Sequence, residues 1–330
     1  MDTAVVAALV IVVSLAFYVM LDGFDLGVGS LLLLERDERD RDLMVESISP
    51  VWDGNETWLV MVGVTLLGCF PIAYGVLLPA FYLPLVVMLV SLGFRGVAFE
   101  FRFQTVRMRA FWDAAFCGGS ILAALCQGVV LGGVVQGIAV GGTAFVGGAL
   151  DVFTLFSAFT GVLLLTGYAV LGAAWLAWRS PGRLRDFAHR RLVALWIPFG
   201  ILGIVFVYWA RDVSPAIDSR FSAHPGFFGS VLLIFVALWA LGLRMIRRLR
   251  PIATFVVGLA MFGLGFVGLG AAVAPWAVPY RISVWDASSP SGSRLIVLVA
   301  ILVMVPIIVT YSAFAYWVFR GKTRDLEVGA

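Results

Sequence analysis

Residues 4–30 read AVVAALVIVVSLAFYVMLDGFDLGVGS. From Ala4 to Leu21 the only polar side chains are Ser14 and Tyr18; then Asp22 and Asp25 interrupt the run. About 20 apolar residues in a helix cross the hydrocarbon core of a bilayer, so this stretch is long enough to be a span with its acids inside it. An ionisable group at that depth costs about 3 kcal/mol or more on insertion scales and usually has a function. A second acidic cluster, Pro50-Val51-Trp52-Asp53-Gly54-Asn55-Glu56-Thr57-Trp58, opens the next apolar stretch.

The rest of the chain is nearly hydrocarbon. Of 330 residues, 62% are hydrophobic and 13% charged, against roughly a quarter charged in a soluble domain. With a mean hydropathy of +1.02, the chain reads as one polytopic membrane domain without a soluble part. Cys69, Cys117 and Cys126 are odd in number and lie in apolar runs, which suits small hydrophobes better than a disulfide frame or a metal site. The first stretch lacks a basic flank and is too long for a cleavable signal, so it is expected to remain as a span. Nothing suggests nucleic-acid binding.

Nine apolar stretches are long enough to cross a bilayer: 4–30, 57–77, 79–99, 113–136, 152–177, 190–210, 227–246, 252–274 and 295–318. Helices are expected, because lipid cannot satisfy free backbone polar groups and no barrel-type alternation is present. The loops after spans 1, 3, 5 and 7 and the C-terminal tail carry 18 of the 23 Arg and Lys residues; the N-terminus and the other loops carry 4, and Arg95 lies within span 3. The positive-inside rule therefore places the N-terminus outside and the C-terminus in the cytoplasm. Asp22, Asp25, Asp53, Glu56, Arg95 and Glu100 then gather on the cytoplasmic side. Pro79 is read as the punctuation of a tight antiparallel hairpin between spans 2 and 3. The eight glycines of 128–148, with Gly128-x-x-x-Gly132 and Gly133-x-x-x-Gly137, suit either close helix contact or a flexible outer loop.

Asp22 and Asp25, three apart, share a helical face. Two carboxylates that close do not both ionise readily, and a membrane carboxylate is a natural proton relay; pairing with loop arginines such as Arg36 or Arg39 is the structural alternative. Asp53-x-x-Glu56 before an apolar helix also has the spacing of a capping box with Asp53 as the cap. Arg95 needs a counter-charge, which the aspartates of the first two spans can supply, unless it snorkels to the interface. The two histidines, His189 and His224, lie in loops. Membrane haems mostly take axial His, so the chain is not expected to hold several haems. No P-loop, CxxC or metal constellation is present, and no catalytic residue is assigned to this chain. A proton-coupled secondary transporter and a purely structural assembly subunit are the alternatives to a proton-relaying enzyme subunit.

Asp22-Gly23-Phe24-Asp25-Leu26-Gly27-Val28-Gly29, the cluster from Pro50 to Trp58, Phe94-Arg95-Gly96-Val97-Ala98-Phe99-Glu100-Phe101-Arg102 and Val284-Trp285-Asp286-Ala287-Ser288-Ser289 together resemble subunit II of cytochrome bd quinol oxidases, a family that includes the cyanide-insensitive oxidases. The resemblance implies an all-α fold of about nine transmembrane helices, arranged as two four-helix bundles plus one peripheral helix, in the bacterial cytoplasmic (inner) membrane. It implies a haem-bearing partner, subunit I, with two b-type haems and one d- or b-type haem, which oxidises quinol at the outer face and reduces oxygen to water without pumping. A small accessory subunit, and a quinone or lipid bound in this subunit, belong to the same expectation. Residue by residue, it implies a cytoplasmic proton path through Asp53 with Asp25, to which Asp22 and Glu56 are added here. Trp52, Asn55, Arg95 and Glu100 are supporting residues, with Arg95 as internal counter-charge, and Trp58 lines an oxygen route.

Overall fold

The computed structural model describes residues 2–105 and 107–321. It contains twelve α-helices: α1 (Thr3–Leu31), α2 (Glu38–Glu46), α3 (Trp52–Cys69), α4 (Pro71–Ala80), α5 (Tyr82–Gln104), α6 (Arg109–Gln136), α7 (Leu155–Arg179), α8 (Gly182–Val213), α9 (Pro215–Ala223), α10 (Pro225–Arg247), α11 (Pro251–Val273) and α12 (Ser291–Val318). Eight are long and apolar enough to cross a bilayer by themselves, all but α2, α3, α4 and α9. The chain is a multi-pass membrane protein.

The remaining expected span, 57–77, is not one helix. It is broken at Phe70-Pro71 into α3 and α4. Proline has no N–H and pushes the residue before it out of the helical region; Phe70 accordingly adopts φ −135°, ψ 60°. Pro71 then serves as the first residue of α4, a position where its missing donor costs nothing. Pro79 is not the punctuation that was expected. It lies inside α4, the turn falls at Phe81, and α5 begins at Tyr82 and runs beyond the expected end at 99 to Gln104. Nor do spans 2 and 3 pack along their length as a hairpin. The main partners of α3 are α1 and α12, and that of α5 is α6.

The helices form two groups of four. The first comprises α1, α3 with α4, α5 and α6; the second comprises α7, α8, α10 and α11, and α12 lies outside against α3. The seam between the groups is tight because glycine removes side chains from it. A Cβ on Gly27 of α1 would sit 1.8 Å from the Tyr168 carbonyl oxygen of α7, and one on Gly172 of α7 would sit 2.4 Å from the Gly27 backbone. Likewise Gly128 of α6 abuts Gly161 of α7, where a Cβ would come within 2.4 Å of the facing Cα. The first of the two expected glycine pairs thus supports helix contact, as small-residue spacing allows. Gly137, at φ +84°, ends α6.

Local chemistry marks the helix ends. Thr154 and Ser157 form a reciprocal capping box at α7, satisfying two otherwise orphaned donors. Asp37 caps α2 through the N–H groups of Arg39 and Asp40. Short antiparallel hairpins, Val140–Gly141 with Ala144–Phe145 and Trp276–Val278 with Ile282–Ser283, cover one end of the bundle. At the other end α2 and the turn 47–51 pack beneath α1, α7 and α8, around Met44, Val45 and Ile48.

Candidate functional site

Asp22 and Asp25 point from α1 into the protein, and both are 0% exposed. Three elements close around them. Arg95 of α5, also 0% exposed, donates from one terminal nitrogen to Asp22 Oδ1 at 2.9 Å and to Glu56 Oε1 of α3 at 3.2 Å. Asn55, one residue before Glu56, donates to Asp25 Oδ2 at 2.7 Å. Tyr316 of α12 donates its hydroxyl proton to Asn55 Oδ1 at 3.1 Å. Beside the cluster, Tyr168 donates to Gln127 Oε1 at 2.6 Å, and the Gln127 amide donates to Tyr18 at 2.7 Å. The Arg95 guanidinium stands 6.0 Å from the centre of the Trp52 ring, which stacks on Phe99.

The charge does not balance. Three carboxylates (Asp22, Asp25 and Glu56) face one guanidinium. A surplus of buried negative charge is expensive, and like charges this close do not all ionise readily. Asp22 Oδ2, Asp25 Oδ1, Arg95 Nε and a terminal Arg95 nitrogen have no partner among the described residues. Buried polar atoms normally find partners, so the cluster keeps hydrogen-bonding capacity in reserve.

Among the expected site residues, Asp22, Asp25, Asn55, Glu56, Arg95 and Trp52 come together. Loop arginines do not pair with Asp22, whose partner is Arg95. Asp53 stands apart: it is exposed in the first turn of α3. It does not cap that helix, because α3 already starts at Trp52 with Val51 in the cap position; the turn 47–51 delivers the chain two residues earlier than the capping box requires. Glu100 is exposed and outside the cluster, since five residues from Arg95 place it on another face of α5. Trp58 is buried and stacked on Phe17 at 4.7 Å, with an indole N–H that has no partner among the described residues.

Sequence reasoning missed a second buried ionic group. Arg102 of α5 donates to Asp113 of α6 at 2.5 Å and to Asp42 of α2 at 2.6 Å. Arg41 joins Asp113 at 3.0 Å, and Arg109 pairs with Asp42. Its signal was available: Arg102 lies seven residues, two turns, after Arg95 and so on the same helical face. Gln127, an amide amid apolar residues of α6, was also visible. Tyr316, which reaches the site from the last span, carried no local signal.

The histidines do not form a pair of axial ligands. His224 is exposed before α10, and His189 is half-buried near the start of α8. They belong to opposite ends of the bundle, so they cannot bracket one haem. Among the described residues no three His, Cys, Asp or Glu side chains are grouped to hold a metal ion.

Comparison with known proteins agrees with this architecture. The family model described as cytochrome bd terminal oxidase subunit II matches residues 3–319. Cytochrome bd-I ubiquinol oxidase subunit 2 of Escherichia coli strain K12 is 29% identical, with 97% of this chain and 95% of that protein covered. Cytochrome bd ubiquinol oxidase subunit 2 of Bacillus subtilis strain 168 is 28% identical, with 97% and 96% covered. The bd oxidase structure from Geobacillus thermodenitrificans has the same fold: TM-score 0.79 at 18% identity, over 97% of this chain and 99% of that one. With the family model matched from Thr3 to Phe319, this chain belongs to the cytochrome bd terminal oxidase subunit II family.

Proposed function

We propose that this chain is the haem-free half of a quinol oxidase and that it carries protons from the cytoplasm to oxygen reduction in the partner, subunit I. Family membership makes it a subunit of a terminal oxidase of the bacterial cytoplasmic membrane, and the transporter alternative loses its support. In this reading the complex's two b-type haems and its d- or b-type haem reside in subunit I, which also oxidises the quinol. The haems supply the redox chemistry; this chain, without a usable pair of axial ligands, supplies the route for protons.

The observation that carries the proposal is the surplus of acid around Arg95. Asp53, at the basic-loop end of α3, receives the proton. Glu56, three residues on and on the same face, passes it across the Arg95 guanidinium to Asp22, and Asn55 holds Asp25 beside it. Trp52 walls the entry. Asp53 also ends a stripe of α3, continued by Val60, Val64 and Leu67, that is exposed in this chain. A carboxylate on a lipid-facing stripe is costly; a stripe covered by subunit I turns Asp53 into an interfacial proton donor. Trp58, buried among Tyr18, Met61 and Ile301, suits the wall of an apolar oxygen route.

The test is Asp53→Asn in the assembled complex. The expected result is a normal reduced-minus-oxidised haem spectrum with oxygen consumption down about a hundredfold or more, the usual scale for losing a proton-transfer group. Full activity in a complex with its haems intact would leave this chain a structural subunit.

A further inference from the structure

Separated from the carboxylate cluster by Trp175, a cavity of about 560 Å³ opens at the end of the bundle that carries the basic loops. Its walls come from the C-terminus of α7, the first turns of α8 and α11, and the residues following α12. Four arginines line it, Arg179, Arg185, Arg250 and Arg320, with Trp178 and Ile252 among the other walls. Among the described residues no carboxylate lines it, and none of the four arginines forms an ion pair. The acids of the neighbouring loop are already engaged: Glu35, Asp37 and Asp40 face Arg183.

Arg179 makes this more than a basic surface. It is 7% exposed. Its guanidinium lies 5.2 Å from the Trp175 ring centre and 5.8 Å from that of Trp178. One terminal nitrogen donates to the Phe319 carbonyl, but Nε is buried and has no partner. A buried cation without a counter-ion is strongly unfavourable, and an Arg fork fits phosphate oxygens with two parallel donors. At the same wall α11 starts without a side-chain cap, which leaves its first N–H groups as further donors for an anion.

The position separates a lipid from a dissolved anion. Ile252 at the cavity and Val256 one turn on are 50% and 56% exposed and form an apolar track on α11 leading from the arginines toward mid-membrane. Trp178 is the amphipathic ring that favours the membrane interface. We propose that this cavity is a binding site for the phosphate headgroup of an anionic phospholipid, held by Arg179, Arg185, Arg250 and Arg320, with its acyl chains along the Ile252–Val256 face of α11.

The experiment uses the whole oxidase complex, purified in detergent and stripped of loosely held lipid. Native mass spectrometry and lipid extraction should find a retained anionic phospholipid. Titration of stripped complex with phosphatidylglycerol should raise its thermal midpoint, whereas phosphatidylethanolamine should not. Arg179→Gln combined with Arg250→Gln should weaken phosphatidylglycerol binding by roughly tenfold or more, the scale of one lost charge-assisted hydrogen bond. Should that pair of changes impair assembly, Arg185→Gln, an exposed wall residue, should give a smaller loss in the same direction. Equal phosphatidylglycerol binding by wild type and variants overturns the site. Stabilisation by inorganic phosphate alone, with no lipid retained, overturns the lipid assignment and leaves a soluble-anion site.

Discussion

Two arginines of one helix, Arg95 and Arg102, sit seven residues apart on the same face of α5, and both are buried. Their surroundings differ in one respect. Around Arg102 there are three arginines (Arg41, Arg102, Arg109) and two aspartates (Asp42, Asp113), and both aspartates are paired. Around Arg95 there are three carboxylates and one guanidinium, and Asp22 and Asp25 each keep an oxygen without a partner among the described residues. The first group is a clamp that ties α2 to α5 and α6. The second has an acid to spare, and the proposed proton path rests on that surplus. Burial alone does not distinguish the two; charge balance does.

The comparison breaks if the two groups respond alike. Arg95→Met removes the only cation of its cluster and should give the largest effect, about 3–5 kcal/mol of stability, as when a buried charge loses its partner. Thermal unfolding of the complex measures it, and adding Asp22→Asn should restore part of the loss. Arg102→Met should cost less, about 1–3 kcal/mol, because Arg41 and Arg109 still neutralise Asp113 and Asp42. An Arg102 variant as damaged as the Arg95 variant would refute the asymmetry.

Activity sharpens the contrast. Asp25→Asn should lower oxygen consumption about tenfold, or about 1.4 kcal/mol in the barrier, with haem content retained. Asp113→Asn should leave turnover unchanged and lower only the unfolding temperature. The smallest effect belongs to Asp37, outside both groups. The N–H of Asp40 above all holds its carboxyl below the ordinary 3.8; partial desolvation opposes this, and the Arg183 charge and the N–H of Arg39 add to the lowering. A depressed folded-state pKa stabilises above the ordinary value and loses that contribution as pH falls through the depressed one. Asp37→Ala should therefore reduce the thermal midpoint slightly at neutral pH, and the difference from wild type should vanish in acid below that window.

Much of this was legible in the sequence, for identifiable reasons. Apolar length announces a span, and Asp22 and Asp25 stood out because nothing around them is polar. Their spacing correctly gave a shared face. Asp53-x-x-Glu56 misled, because a capping box is a local pattern and the start of α3 is set by the turn packed beneath α1. Glu100, expected from the resemblance as a supporting residue, is exposed and outside the cluster, because helical phase puts Arg102, not Glu100, on the face of Arg95. The span at 57–77 misled because hydropathy averages over Phe70-Pro71 without registering the missing donor.

By itself, then, the amino-acid order determined which segments enter the membrane, because the cost of bare backbone and of charge in hydrocarbon is paid locally, residue by residue. Which charges meet was decided only by tertiary structure. Asp22 and Arg95 are 73 positions apart, and Asn55 and Tyr316 are 261 apart; those pairs depend on how helices cross, and the crossings depend on shape, down to the absent side chains at Gly27 and Gly172.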